Sequence, residues 1–286
     1  MIGRRQFVLL PALVFVPKLA HSAEILLPTK RESLKFAVIG DSGSGSRKQY
    51  ETGKQLADAR AGFPFEFVLM LGDNLYGGQK ARDFFIKFEQ PYRPLVDGDV
   101  PFYAALGNHD DPGVQMKYKP FNMDGRRFYT FSKGPAQFFA LDSSYMSPQQ
   151  LEWFEKELKD SKAKWKVAYM HHPIYSSGKR HGSDIALRTF LEPLLQKYGV
   201  DLVLAGHEHF YERLRPQKGI QYFTAGSAGK LREGNIRPGP LHQAGFDTDL
   251  SFLLMEIDGD DLHYQVISRV GKTVDQGSFV RRGAGQ

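Results

Sequence analysis

The 286-residue chain contains no cysteine. Disulfides and thiolate metal sites are therefore excluded, and any bound metal must be held by oxygen and nitrogen ligands. Its N-terminal apolar run, Phe7–Val16, is interrupted by Pro11 and falls short of the roughly 20 residues a bilayer span requires. The chain also lacks a dense Lys/Arg stripe and any nucleic-acid-binding motif. Of its formal net charge of +6, three positive charges (Arg4, Arg5, Lys18) lie in the first 23 residues, which contain no acid. The remainder is only mildly basic, which argues against a nucleic-acid partner. There is no internal repeat and no low-complexity stretch. The Gly-rich stretch Gly40–Gly45 lacks the Gly-Lys-Ser/Thr of a nucleotide phosphate loop. No Gly-x-Ser-x-Gly elbow exists, so Ser143 and Ser144 read as turn residues, and His207–His209 is not a His-Glu-x-x-His helix.

The N-terminus has the features of a targeting segment. Arg4 and Arg5 precede the apolar run, which is followed by Lys18 and the small-residue stretch Ala20-His21-Ser22-Ala23. Residues 1–23 are read as a signal peptide. The string Arg4-Arg5-Gln6-Phe7-Val8-Leu9 resembles a twin-arginine export signal, the alternative being an ordinary secretory signal. The expected destination is the bacterial periplasm or the exterior, with no membrane span left after processing.

From about residue 34, short β-rich runs alternate with helical or loop-like segments. Leu34–Gly40, Phe65–Gly72, Phe102–Leu106, Gln137–Leu141, Trp165–Met170 and Asp201–Ala205 read as buried strands. Ser147, Pro148 and Gln150 predict a helix start with a capping box, and Leu151, Phe154 and Leu158 its apolar face. A second helix is expected from Asp184 to Tyr198, kinked or restarted at Pro193. Strands follow at Ile220–Ala225, Phe252–Ile257 and Leu262–Ser268, and the Gly/Pro-rich stretch 232–243 is expected to be irregular. This order predicts an α/β domain over residues 34–270 whose last strands join a second sheet, with 271–286 as a C-terminal tail.

Five of the predicted strands end in residues that can bind a metal. These are Gly40-Asp41-Ser42-Gly43, Gly72-Asp73-Asn74-Leu75-Tyr76, Gly107-Asn108-His109-Asp110, His171-His172-Pro173 and Gly206-His207-Glu208-His209. Carboxyl ends of strands line the ligand crevice of open α/β sheets, so the five clusters should converge. His207 and His209, two apart in extended chain, can face one site. The set predicts a dinuclear metal centre.

These motifs resemble the calcineurin-like metallophosphoesterase superfamily over about residues 34–270, and within it the purple acid phosphatases. Gly43 stands where most of the superfamily has a histidine, and Tyr76 follows Asp73 by three residues. That exchange of a histidine ligand for a tyrosine ligand marks the purple branch. The segment His207-Glu208-His209-Phe210-Tyr211-Glu212-Arg213 is similar to that branch as well.

The resemblance implies a four-layer α/β/β/α sandwich with two mixed β-sheets. It places Fe(III) on Asp41, Asp73, Tyr76 and His209. A divalent ion (Fe, Zn or Mn) falls on Asp73, Asn108, His171 and His207, with Asp73 bridging. The hard anionic set suits Fe(III), and the imidazole-rich set suits the divalent ion. A water shared by two such cations would be ionised near neutral pH and attack phosphorus in line. The resemblance also implies that His109 and His181 face the substrate, with Asp110 orienting His109. His172 reads as a supporting residue, and Glu212 and Arg213 as a structural pair behind the ligands.

The expected activity is phosphomonoester hydrolysis. Alternatives are a phosphodiesterase acting on nucleotides or phospholipid head groups, and an exported metal-binding protein without turnover. Selectivity between esters should lie in the loops Pro112–Phe128 and Gly178–Ser183.

Overall fold

The structure is a computed structural model that describes residues 23–283. Of the signal peptide expected over residues 1–23, all but Ala23 lies outside the described residues, including Arg4, Arg5 and Lys18.

Among the described residues, thirteen strands form two mixed sheets. The first sheet has the order β13 (Thr273–Val280), β12 (Asp261–Ser268), β11 (Ser251–Asp258), β1 (Leu34–Ile39), β2 (Phe67–Leu71), β3 (Phe102–Ala105). The second has the order β10 (His242–Phe246), β8 (Tyr211–Leu214), β9 (Gln221–Ala225), β7 (Leu202–Ala205), β6 (Trp165–Met170), β5 (Ala136–Ala140), β4 (Tyr129–Lys133). Strands β1, β2 and β3 run parallel, as do β5, β6, β7 and β9. Three long helices lie in the connections of these parallel runs: α1 (Arg47–Ala59), α5 (Pro148–Asp160) and α6 (Ile185–Lys197). The shorter helices α2 (Ala81–Phe84), α3 (Arg93–Val96) and α4 (Pro112–Gln115) lie between β2 and β4. Every residue of β1, β2 and β7 is buried, as expected of strands covered on both faces.

Side-chain alternation along β5 sorts the layers. Phe138 meets Phe36 of β1 and Phe67 of β2 edge-on at 5.4 and 5.3 Å, which packs sheet on sheet. Phe139, the next residue, faces away and meets Phe154 of α5 at 5.7 Å. Leu187, Leu191 and Leu195 recur at helical spacing on α6 and join that outer cluster. Leu56 and Ala59 of α1 pack with the first sheet. The result is the expected four layers, helix, sheet, sheet and helix.

Four local expectations need correction. Ser147 caps α5 by accepting from the Gln150 amide at 3.2 Å, but the Gln150 side chain does not complete a capping box. Its amide turns back to the Asp142 backbone, accepting from the N–H at 2.8 Å and donating to the carbonyl at 3.0 Å. Helix α6 runs on through Pro193 to Lys197, so of the two outcomes expected at the proline the restart does not occur. The buried leucines on both sides of the proline hold the turn that one missing N–H would weaken. Within the stretch expected to be irregular, β10 begins at His242.

The segment expected as a tail contains β13, which pairs antiparallel with β12. Asp275 of β13 also accepts from Tyr211 and Arg213 of the second sheet at 2.7 and 2.8 Å. The polar sequence of an exposed edge strand carries little periodic signal, so it is easily read as tail.

Candidate metal centre

Strands β1, β2 and β3 of one sheet and β6 and β7 of the other deliver their C-terminal loops to one place. The loops are pinned to each other by backbone hydrogen bonds: Asp41 N–H to Gly72 carbonyl at 3.0 Å, Tyr76 N–H to Gly43 carbonyl at 3.0 Å, and Gly206 N–H to His171 carbonyl at 2.9 Å. Asp41, Asp73 and His207 each adopt positive φ, at 52°, 50° and 67°. A non-glycine residue pays roughly 1–2 kcal/mol for that conformation, and it persists only where the surroundings enforce it. Here it turns the side chain inward where the strand stops.

The inward groups form two sets. In the first, the Tyr76 hydroxyl lies 2.9 Å from Asp41 Oδ1 and 3.0 Å from His209 Nε2, and His209 Nε2 lies 3.3 Å from Asp41 Oδ1. Asp41, Asp73 and His209 place a ligand atom each within 4.8 Å of one another. In the second, His171 Nε2 lies 3.0 Å from Asn108 Oδ1, 3.1 Å from His207 Nδ1 and 3.4 Å from Asp73 Oδ1. Asp73 therefore borders both sets. Its Oδ1 also accepts the His109 amide at 3.0 Å.

The donor chemistry of the second set fits a cation. His171 Nδ1 donates to the Leu71 carbonyl at 2.9 Å, which leaves Nε2 as a lone pair. That lone pair faces an amide oxygen and a carboxylate oxygen, so acceptors converge on one point. Separations of 3.0–3.4 Å among the groups around His171 Nε2 are those of ligands around one ion, about 2.0–2.2 Å from each. Burial holds His171 well below the ordinary histidine range, His207 at about 2 and His209 at about 4, so all three imidazoles are neutral. Burial, then the neighbouring Asp73, pushes the fully buried Asp41 carboxyl well up, and burial first also raises the Tyr76 phenol. Cations bound here would reverse both shifts.

Gly43 permits the close approach of the turn that carries Tyr76. A Cβ at that position would lie 1.9 Å from the Asn74 carbonyl oxygen and 2.5 Å from Leu75 Cα. A histidine cannot be built there without moving the turn that carries Tyr76.

Not every assigned residue lands where the sequence placed it. His109 stands at the rim, 55% exposed, with Nε2 4.0 Å from Asp73 Oδ2 and its ring 4.9 Å from that of Tyr76. Asp110 does not orient it. The Asp110 carboxylate is buried and accepts from the backbone of Gly107, Asn74 and Leu75 at 2.8, 3.1 and 3.1 Å, and from Gln115 at 2.6 Å. It pins the β2 and β3 loops together. Burial, and then Asp73, pushes it up to about 7.

His181 is exposed, with its ring 4.3 Å from that of His207. His172 comes closer than its supporting reading implied, because His171, His172 and His207 also place ligand atoms within 4.8 Å of one another. Its Nδ1 is engaged by the Ser143 hydroxyl at 3.0 Å. A cleft of about 310 Å³ beside His207 is lined by His172, Arg180, His181 and Asp184, among others. Glu212 and Arg213 do not pair. Adjacent on β8, they point to opposite faces, Glu212 to His242 at 2.7 Å and Arg213 to Asp275 at 2.8 Å.

Two residues near the centre had no assigned role. Glu208, fully buried between two of the assigned ligands, accepts from the Gly182 N–H at 2.7 Å and the Asn235 side chain at 2.8 Å. Lys230, for which the sequence carries no signal, places its ammonium 4.7 Å from the Tyr76 ring centroid.

Residues 34–211 match the family model of calcineurin-like phosphoesterases. Tartrate-resistant acid phosphatase type 5 of Rattus norvegicus is 27% identical over 94% of this chain and 96% of the relative. Purple acid phosphatase 4 of Arabidopsis thaliana is 31% identical over 72% of this chain and 71% of the relative. Among solved structures, GAP50, the anchor in the inner membrane complex of Plasmodium, shares the fold with a TM-score of 0.78. It is 20% identical, with 88% of this chain and 90% of that chain covered.

Proposed function

The chain belongs to the calcineurin-like phosphoesterase family, on its purple acid phosphatase side, and is a metal-dependent phosphoric ester hydrolase; from that premise we propose a phosphomonoesterase with a dinuclear centre. In this reading Fe(III) is held by Asp41, Asp73, Tyr76 and His209, and a divalent ion by Asp73, Asn108, His171 and His207. The observation that carries it is the position of Asp73, with His171 Nε2 3.4 Å from its Oδ1 on one side and Asp41 and His209 within ligand range on the other. Cations held by these residues would lower the pKa of a bound water and neutralise charge on the phosphoryl oxygens.

The remaining work falls to the chain. His109 and His181 are exposed on the rim of the centre, where an imidazole can contact the ester and hand a proton to its leaving oxygen. The positive φ of Asp41, Asp73 and His207 fixes three side chains before substrate arrives. Preference for monoesters is supported by two cations. Lys230 beside Tyr76 and Arg180 in the cleft are in no ion pair among the described residues. A dianionic monoester gains more from such charges than a monoanionic diester does. The reading includes export by the twin-arginine route, motivated by Arg4 and Arg5.

The test is a side-by-side assay of p-nitrophenyl phosphate and bis-p-nitrophenyl phosphate on protein of measured metal content. Higher kcat/KM for the monoester is expected. A higher value for the diester would favour the phosphodiesterase reading.

A further inference from the structure

Glu208 lies between His207 and His209 in the loop after β7, and its carboxylate turns to Gly182 and Asn235 while the two imidazoles face the centre. A fully buried carboxylate is costly unless its oxygens are hydrogen-bonded. Those of Glu208 are satisfied by two loops at the rim. Oε1 accepts from the Gly182 N–H at 2.7 Å, next in the chain to His181. Oε2 accepts from Asn235 Nδ2 at 2.8 Å, while the Arg232 guanidinium stands off at 3.6 Å.

The two loops are also joined to each other. The Lys179 N–H donates to the Asn235 carbonyl and the Arg237 N–H to the Ser177 carbonyl, both at 2.9 Å. The backbone at Gly178 lies so close to the carboxylate that a Cβ there would sit 2.0 Å from Oε1.

We propose that Glu208 is a positioning residue, whose carboxylate holds the 178–183 loop so that His181 stays over the His207 side of the centre. The proposal rests on the reading of His181 as substrate-facing. Glu208 touches neither substrate nor metal. One three-residue segment thus supplies two assigned ligands and also fixes a rim histidine contributed by a separate loop.

A double-mutant cycle tests this on the full exported protein. Glu208→Gln keeps the size of the side chain but replaces one acceptor oxygen by a donor that faces donors. In the wild-type background it should lower kcat for an alkyl phosphate by about tenfold or more, with less loss for p-nitrophenyl phosphate and unchanged metal content. In the His181→Ala background the same change should cost less than about twofold, because coupled residues are not additive. Asn235→Ala removes one tie from outside the ligand segment and should show the same pattern more weakly. It also serves if Glu208→Gln does not fold.

Full, independent losses in the double variant, or depleted metal in Glu208→Gln, would overturn the proposal. If His181→Ala alone has no effect, the role of His181 fails, and the positioning role fails with it.

Discussion

The Tyr76 hydroxyl stands 2.9 Å from Asp41 Oδ1, although the two residues arrive from the ends of different strands. A phenol at that distance from a buried carboxylate can be an ordinary hydrogen-bond donor or a fellow ligand. Iron distinguishes the two, because a phenolate bound to Fe(III) absorbs visible light. Iron-loaded protein should be pink to violet, and Tyr76→Phe should lose the band while the fold persists. Lys230→Met should move the band to longer wavelength, since the cation 4.7 Å from the ring stabilises the phenolate electrons. Absorption spectra of samples with verified Fe(III) content check both outcomes. A colourless Fe(III) protein, or a band that survives in Tyr76→Phe, contradicts the ligand assignment.

His109 is solvent-facing and its ring makes no side-chain hydrogen bond among those described, so its removal should spare the fold. His109→Ala should retain metal and lower kcat by roughly 100-fold to 10,000-fold, the range for general acid–base assistance. The loss should shrink for esters with good leaving groups. A uniform loss accompanied by depleted metal would show instead that His109 supports the centre.

Gly43 permits the close approach of the first and second strand-end loops. Gly43→Ala forces a Cβ into the Asn74 carbonyl, so the turn must shift. Thermal unfolding should show a loss of about 1–3 kcal/mol, typical of overpacking, and the Tyr76 band should move as its turn moves. Unchanged stability and spectrum would mean that the turn yields freely.

Five strand-end clusters were legible because each puts a metal-binding side chain at the point where an apolar run stops, and four of the five place a glycine there as well. Reading adjacent residues as partners was less successful. Asp110 beside His109, and Glu212 beside Arg213, were expected to act together, yet Glu212 and Arg213 alternate on β8 and Asp110 turns back in a tight turn to the backbone of Gly107 and Asn74. Glu208 sits in the loop after β7, where His207 has a φ of 67°, so no strand period shows where its carboxylate turns. Nor could its partners be read, because Gly182 and Asn235 come from loops without periodicity. Strand β13 was missed for a related reason, since an exposed edge needs no apolar pattern.

Export depends on Arg4 and Arg5 if the twin-arginine route is used. Replacing both with Lys should leave the precursor in the cytoplasm, as fractionation and immunoblotting would show. Normal periplasmic accumulation would point to the ordinary secretory route.

Asp73 borders both groups of candidate ligands, with Asp41 and His209 on one side and His171 on the other. The most direct measurement is metal per chain in Asp73→Ala, by elemental analysis of natively exported protein, alongside hydrolysis of p-nitrophenyl phosphate. Loss of metal from both positions and loss of hydrolysis are predicted. Two metals per chain with normal turnover would contradict the bridging assignment of Asp73.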